Sequence, residues 1–156
     1  MTAVALDGSG LSSTSAAVRI TVTNGTGLAY GLTSNPTVSA FLNMPTMFTG
    51  TLPAVLSGTG VFSNTTNRTP AGGLIPYAPN APLWKDNAAS SWLMALPNNG
   101  SPITPGEQIQ FQPTNSWTFP AGAVFVKNFD LVVNETNTAV PLRRLETQLL
   151  VRDING

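Results

Sequence analysis

Short apolar runs alternate with turn-forming residues along most of the chain, and stretches of strong helix formers are scarce. Alternation with a period of two is clearest in residues 107–113, "EQIQFQP", and in residues 144–152, "RLETQLLVR". Two further strands are predicted at residues 90–96 and within the apolar run of residues 118–136. Successive side chains of a strand point to opposite faces, so this pattern is typical of half-buried strands. It predicts an all-β fold, an antiparallel β-sandwich or partly open barrel with long irregular loops.

Three regions of the chain differ in composition. Residues 1–24 predict a β-hairpin, with strands at 2–6 and 16–24 joined by a connection rich in Gly and Ser. Residues 25–50 are rich in turn-forming residues and are predicted to be a linker with one short strand. Residues 51–156 are predicted to form the main β-domain, and we expect this domain to be truncated at its C-terminus.

The charge balance bears on the class of partner. Seven basic and seven acidic residues give a formal net charge of zero, which removes the electrostatic case for nucleic acid or an anionic membrane as a main partner. No apolar stretch approaches the roughly 18 residues that a membrane-spanning helix needs. We therefore expect neither a nucleic-acid partner nor a membrane span.

The chain contains no cysteine and no histidine. Their absence excludes a disulfide framework, a thiolate nucleophile, a zinc–sulfur site and covalently attached haem within this chain. It also excludes Ser-His-Asp and Cys-His catalysis. We expect no cofactor, with calcium as the one candidate cation, because "DGSG" at 7–10 and "KDNA" at 85–88 contain suitable oxygens. Asx turns are the competing interpretation of both stretches.

A lysine interrupts the longest apolar run. By strand parity Lys127 shares a face with Phe125 and Phe129, which is the more apolar face and is therefore predicted to be the inner one. A buried ammonium needs a partner, and Glu146 and then Asp86 are the candidates. Two interpretations stay open. The favoured one is a structural ion pair, and the other is a lysine–carboxylate cluster that transfers protons in a fragment of an enzyme.

Aromatic residues are the second set of candidate site residues. Trp84 lies in a loop, and with Tyr77 it is a candidate for stacking against a sugar ring, because aromatic faces near polar side chains suit carbohydrate recognition. Trp92 and Trp117 lie in or beside predicted strands, where packing is the favoured interpretation.

Several spaced motifs also resemble a known family. They are "LPAVLSGTGVF" with "GLIPYAPNAPLWKDNA", "SSWLMALP", and "WTFPAGAVFVKNFDL" followed by "RRLETQLLVRDING". Together, over residues 51–156, they resemble an uncharacterised exported bacterial multidomain family that is associated with c-type cytochrome and sugar-dehydrogenase-like domains. The first 24 residues resemble the end of a bacterial immunoglobulin-like domain. The resemblance implies a periplasmic or extracellular location and, as partners, the other domains of a parent protein.

The chain departs from the family pattern at four positions. Lys85 and Asn87 replace the serine and glycine that usually flank the aspartate, Asn128 replaces a threonine, and Gln148 replaces an arginine. The resulting expectation is a non-catalytic β-module of a larger exported bacterial protein, linked to redox or sugar metabolism. A carbohydrate-binding module is the first alternative, and an enzyme fragment that uses Lys127, Glu146 and Asp86 is the second.

Overall fold

The computed structural model describes residues 4–6, 8–14, 34–81, 84–86, 88–100 and 103–156. Within them the chain is all-β, as predicted, with two short 3₁₀-helices at Leu56–Thr59 and Pro105–Glu107. The strands are β1 (Val4–Leu6), β2 (Ser12–Thr14), β3 (Phe62–Asn64), β4 (Thr69–Pro70), β5 (Ile75–Tyr77), β6 (Ala89–Ala95), β7 (Val124–Leu131) and β8 (Arg143–Val151).

A four-stranded antiparallel sheet in the order β5-β6-β7-β8 is the main element of the fold. Two smaller antiparallel sheets consist of β1 with β2 and of β3 with β4. In the part of the chain that the structure describes, no sheet closes into a barrel. The three long strands of the main sheet lie where the apolar pattern predicts them.

The hydrophobic core lies against one face of the main sheet. Along β7 the valines at 124 and 126 are fully buried, whereas Phe125, Lys127 and Phe129 between and beyond them are only half-buried. The buried core residues come from strands and loops that are distant in the sequence. They are Val38, Val61, Phe62, Leu74, Ala95, Val124 and Val126. The face predicted to be inner is therefore the outer one, and the strand parity places Lys127 on the side away from the core.

Part of the segment predicted to be a linker packs into this core. Val38 and Phe41 are buried, and the Val38 backbone exchanges two hydrogen bonds with Asn98. The Phe41 N–H donates to the Gly122 carbonyl at 2.9 Å. Gly122 has a φ of 89°, and a Cβ there would lie 2.7 Å from the Ala40 Cβ, so only glycine permits this close approach. The short strand predicted in this segment is limited to the bridge at Val38.

Residues 107–113 do not form the predicted strand. This stretch forms a single isolated β-bridge, between Gln110 and Thr118. Phe111 is exposed beside Trp117. The prediction is wrong here: a 3₁₀-helix at Pro105–Glu107 takes up the first predicted residue, and the residues after it form no ladder beyond this bridge.

Thr104 and Glu107 form a capping box on this 3₁₀-helix. The Glu107 carboxylate accepts hydrogen bonds from the Thr104 N–H, the Asn99 N–H and the Thr104 hydroxyl. These bonds, led by the one from the Thr104 backbone, lower the pKa of Glu107 below its ordinary value.

The described part of the N-terminal hairpin pairs β1 with β2. Val4 lies opposite Thr14, so β2 falls within the stretch predicted to be the connection. The strand predicted at 16–24 lies outside the described residues.

Candidate functional site

The buried face of the main sheet carries a polar cluster centred on Asp130, which is only 5% exposed. The Arg144 Nε donates to its Oδ1 at 2.7 Å, and the Arg68 Nη1 donates to the same oxygen at 3.1 Å. These two contacts are the ion pairs found among the described residues. The charge of Asp130 is thus neutralised by two guanidinium groups.

A β-bulge creates this cluster. Phe129 lies opposite Glu146, but the next residue, Asp130, lies opposite Arg144, so Leu145 is the extra residue. The bulge turns Arg144 onto the buried face beside Asp130 and leaves Leu145 exposed. Regular alternation placed Leu145 on one face with Thr147, so this part of the sequence-based assignment is wrong.

Asn128, which is 2% exposed, extends the cluster along the strand. Its Oδ1 accepts hydrogen bonds from Arg144 Nη1 and, at 2.9 Å, from the Thr147 hydroxyl. Its Nδ2 donates to the Ser91 hydroxyl at 3.2 Å. Because these buried polar groups are satisfied by one another, the arrangement is that of a structural network. We name Asp130, Asn128, Arg144, Arg68 and Thr147 the Asp130 cluster.

Lys127 lies on the opposite, outer face of the same strand. Its ammonium is 4.6 Å from the centroid of the Trp92 ring and 4.4 Å from that of Phe129, in the range of cation–π contacts. The predicted ion pair with Glu146 or Asp86 does not form, since both ion pairs of the described residues belong to Asp130.

The two predicted carboxylate partners are engaged or placed elsewhere. Glu146 lies opposite Phe129 on the neighbouring strand, and its Oε1 accepts a hydrogen bond from Gln148 Nε2 at 2.9 Å. Asp86 is exposed in a turn, with a left-handed φ of 47°. The structure therefore does not bring Lys127, Glu146 and Asp86 together as an ion-paired cluster. The pairing was predicted because Lys127 was assigned to the inner face, where an ammonium requires a counter-charge.

A cleft opens on the outer face beside Lys127, with a volume of about 340 Å³. We call it the aromatic cleft, and its lining includes Tyr77, Lys85, Ser90, Trp92, Lys127 and Phe129. Strand pairing explains why they converge, because Tyr77 lies opposite Trp92 and Trp92 lies opposite Lys127. Residues opposite one another in a sheet place their side chains on the same face.

Packed rings support the cleft. The Tyr77 and Trp92 centroids are 6.0 Å apart, and Tyr77 meets Phe125 edge to face at 6.2 Å. Phe119 in turn packs on Phe125 at 4.9 Å. Contacts of this geometry are favourable for aromatic pairs. Burial raises the pKa of the Tyr77 phenol, so its hydroxyl is a neutral donor and acceptor at ordinary pH.

The four aromatic residues considered from the sequence lie in three different places. Tyr77 lines the aromatic cleft, and so does Trp92, for which packing was favoured. Trp84 is 90% exposed and does not belong to the cleft lining. Trp117 packs edge to face on Phe111 at 5.3 Å, and both are largely exposed. Trp92 was missed because a tryptophan in a strand was assumed to face the core.

The candidate calcium stretches are only partly described, because Asp7 and Asn87 lie outside the described residues. The residues that are described contain no group of three or more acidic, histidine or cysteine side chains able to hold a metal ion. Calcium binding stays a prediction. None of the helices in the described ranges has the length and apolar character required to cross a membrane.

Comparison with family models, with curated proteins and with solved structures finds no match to this chain. The geometry of the main sheet is therefore the basis on which its function is considered.

Proposed function

We propose that this chain is a non-catalytic β-module that binds carbohydrate in the aromatic cleft. The observation that supports the proposal is the placement of Tyr77, Trp92 and Phe129, which are half-buried around a concave opening on the side of the sheet away from the core. The stability of the sheet does not require these rings to be on the outside, since valines and the Asp130 cluster fill the inner face.

The chemistry of the cleft suits a sugar. The C–H face of a sugar ring packs on aromatic rings, while its hydroxyl groups need a few well-placed polar partners. The Tyr77 hydroxyl, the Ser90 hydroxyl and the Lys85 ammonium are such partners at the cleft. A volume of about 340 Å³ lies at the lower end of the range for small-molecule sites, roughly 300–1,000 Å³, which suits one or two sugar rings.

Binding without catalysis is favoured by the acidic residues. Glycoside hydrolysis generally uses a pair of carboxylates that flank the bond to be cleaved. Among the described residues that line the aromatic cleft there is no carboxylate. Asp130, a buried acid of the sheet, is held by two arginines on the buried face.

The wider setting of the module rests on the resemblance of residues 51–156 to exported bacterial multidomain proteins and of the first 24 residues to an immunoglobulin-like domain. On that basis we propose a periplasmic or extracellular location. The other domains of a parent protein, which takes part in redox or sugar metabolism, are the proposed partners.

Calorimetric titration with a panel of neutral and acidic oligosaccharides tests the proposal. We expect at least one sugar to bind, and Trp92→Ala to weaken its binding about tenfold, because the loss of a well-packed ring contact costs on the order of 1.5 kcal/mol. Trp117→Ala removes an exposed tryptophan outside the cleft and should leave the affinity unchanged. Trp84→Ala tests the residue first favoured for stacking, and we expect no effect. Failure of the wild-type protein to bind any sugar of the panel would overturn the proposal.

A further inference from the structure

The chain contains two lysines, Lys85 and Lys127, and both line the aromatic cleft. From this we infer that the cleft takes sugars that carry an anionic group, a carboxylate or a sulfate. The inference rests on the proposed function, because it specifies the class of carbohydrate that this same site accepts.

Lys127 presents an ammonium without a counter-ion. Its Nζ lies over the rings of Trp92 and Phe129, and within the described ranges it has neither a hydrogen-bond acceptor nor a carboxylate partner. An ammonium has three N–H donors, so its capacity to bind an anion remains open. The two rings hold the charge in place.

Lys85 brings a second ammonium to the same face. Its Nζ donates to the Ser90 hydroxyl at 2.8 Å, and Ser90 lies opposite Phe129 in the pairing of β6 with β7. One of the three N–H donors is used in this bond, and the other two have no acceptor among the described residues, so they can serve a ligand.

The described residues that line the cleft include no carboxylate. Glu146 lies opposite Phe129 on the same face and keeps its negative charge while it accepts a hydrogen bond from Gln148, but within the described ranges it forms no ion pair with either lysine. Asp130 faces the other side of the sheet, and Asp86 is exposed outside the lining. The cleft therefore carries two positive charges against aromatic walls, where an anion is bound more strongly than in bulk water.

The spacing of ring and charge indicates why the anion should be attached to a sugar ring. The Lys127 ammonium lies within 4.6 Å of two aromatic centroids, so a ligand in the cleft meets an aromatic surface and a cation at once. In a uronic acid the carboxylate is bonded directly to a carbon of the sugar ring that packs on the aromatic side chains. In a sulfated sugar the sulfate is attached through an oxygen atom and lies slightly further from that ring. Both would satisfy this arrangement, whereas a neutral sugar has no charged group to pair with the ammonium.

Matched ligands test the inference. Oligogalacturonate and its methyl ester have the same rings and differ in charge, and dextran sulfate with dextran provides the same comparison for sulfate. We expect the acidic member of at least one pair to bind about tenfold more tightly, since a charge-assisted hydrogen bond contributes roughly 1.5–3 kcal/mol. The preference should decrease as salt is raised.

Matched variants complete the test. Lys127→Met should remove most of the preference for the acidic ligand while the binding of its neutral counterpart persists. Lys85→Met should also reduce the preference, together with a smaller loss of neutral-sugar affinity, because its ammonium is also a polar partner for sugar hydroxyl groups. Arg143→Gln removes one positive charge from an exposed position of β8 and should leave the preference intact. Equal affinity for the acidic and neutral members of both pairs would overturn the inference and leave the proposed function standing. Absence of binding by every sugar would overturn both.

Discussion

The two faces of the main sheet surround their charged side chains with different groups, although Lys127 and Asp130 lie only three positions apart on β7. Asp130 is buried and held by two guanidinium groups at 2.7 and 3.1 Å. Lys127 is half-buried against two aromatic rings, with no ion pair in the described part of the chain. A charged side chain in a strand has a structural role where the fold supplies its ion-pair partners. Where the fold supplies no such partner, the charge can interact with a ligand.

The side chains around each charge differ in the same way. The buried face combines small branched residues, Val124 and Val126, with a network of polar side chains that hydrogen-bond to one another. The outer face combines large rings that line an opening. We therefore assign stability mainly to the buried face and propose the outer one for binding, and four substitutions or conditions test that division.

Removing the charge of Asp130 should have the largest effect. Asp130→Asn keeps the size of the side chain but leaves the Arg144 and Arg68 guanidinium groups without a counter-charge. Breaking a buried pair in this way costs about 3 kcal/mol, and urea unfolding would measure the loss. A loss below about 1 kcal/mol, the range of exposed ion pairs, would show that the cluster does not hold the sheet.

Truncating the core under β7 should cost somewhat less. Val126→Ala removes two methyl groups from a fully buried position, and we expect the free energy of unfolding to fall by about 2 kcal/mol. Val133→Ala makes the same change at a half-exposed position beyond the strand and should cost less than about 0.5 kcal/mol. Equal losses in the two variants would contradict the assignment of the buried face.

Lys127→Met should have a small effect on stability. The substitution loses two cation–π contacts, each of about 0.5–1 kcal/mol at exposed sites, but methionine keeps an apolar stem and its thioether can contact the same rings, which offsets part of the loss. Urea unfolding should therefore give a decrease of less than about 1 kcal/mol. A decrease as large as that of Asp130→Asn would indicate a structural role for the lysine.

Ionisation of Tyr77 should have the smallest effect, and only at alkaline pH. Burial raises the pKa of its phenol above the ordinary value of 10.0, so the unfolded chain loses this proton at a lower pH than the folded protein does. The contribution of the neutral Tyr77 phenol to the free energy of unfolding is fully present below about pH 10. It is lost as the pH rises through the folded-state pKa. Unfolding measured on both sides of this range should show a steeper alkaline decrease in wild type than in Tyr77→Phe. Identical slopes would contradict a desolvated phenol.

The sequence predicted the class of fold and the three long strands because apolar runs and alternation with a period of two are local signals, although the alternation at 107–113 formed no strand. It also placed Lys127 on one face with Phe125 and Phe129. It did not predict which face is buried, because aromatic residues count as apolar yet here line an opening. The bulge at Leu145 was not predictable either, since a single extra residue leaves the hydrophobic pattern almost unchanged.

The candidate site was predicted only in part. Tyr77 and Lys127 were singled out, but Trp92 was assigned to packing and Lys85 was noted only as a departure from a family pattern. A usable signal was present, because each lysine of this lysine-poor chain has an aromatic residue within two positions, Trp84 beside Lys85 and Phe129 beyond Lys127. Their convergence depends on the pairing of β5, β6 and β7, which is a non-local property of the fold.

The most direct test of the division between the two faces is an NMR titration of the labelled protein with oligogalacturonate, dextran sulfate and their neutral counterparts. We predict that the amide signals perturbed by a bound sugar will cluster at residues 76–79, 85, 90–92 and 127–129, around the aromatic cleft. Perturbations centred on the exposed pair Phe111 and Trp117, or an unchanged spectrum with every sugar, would contradict the account.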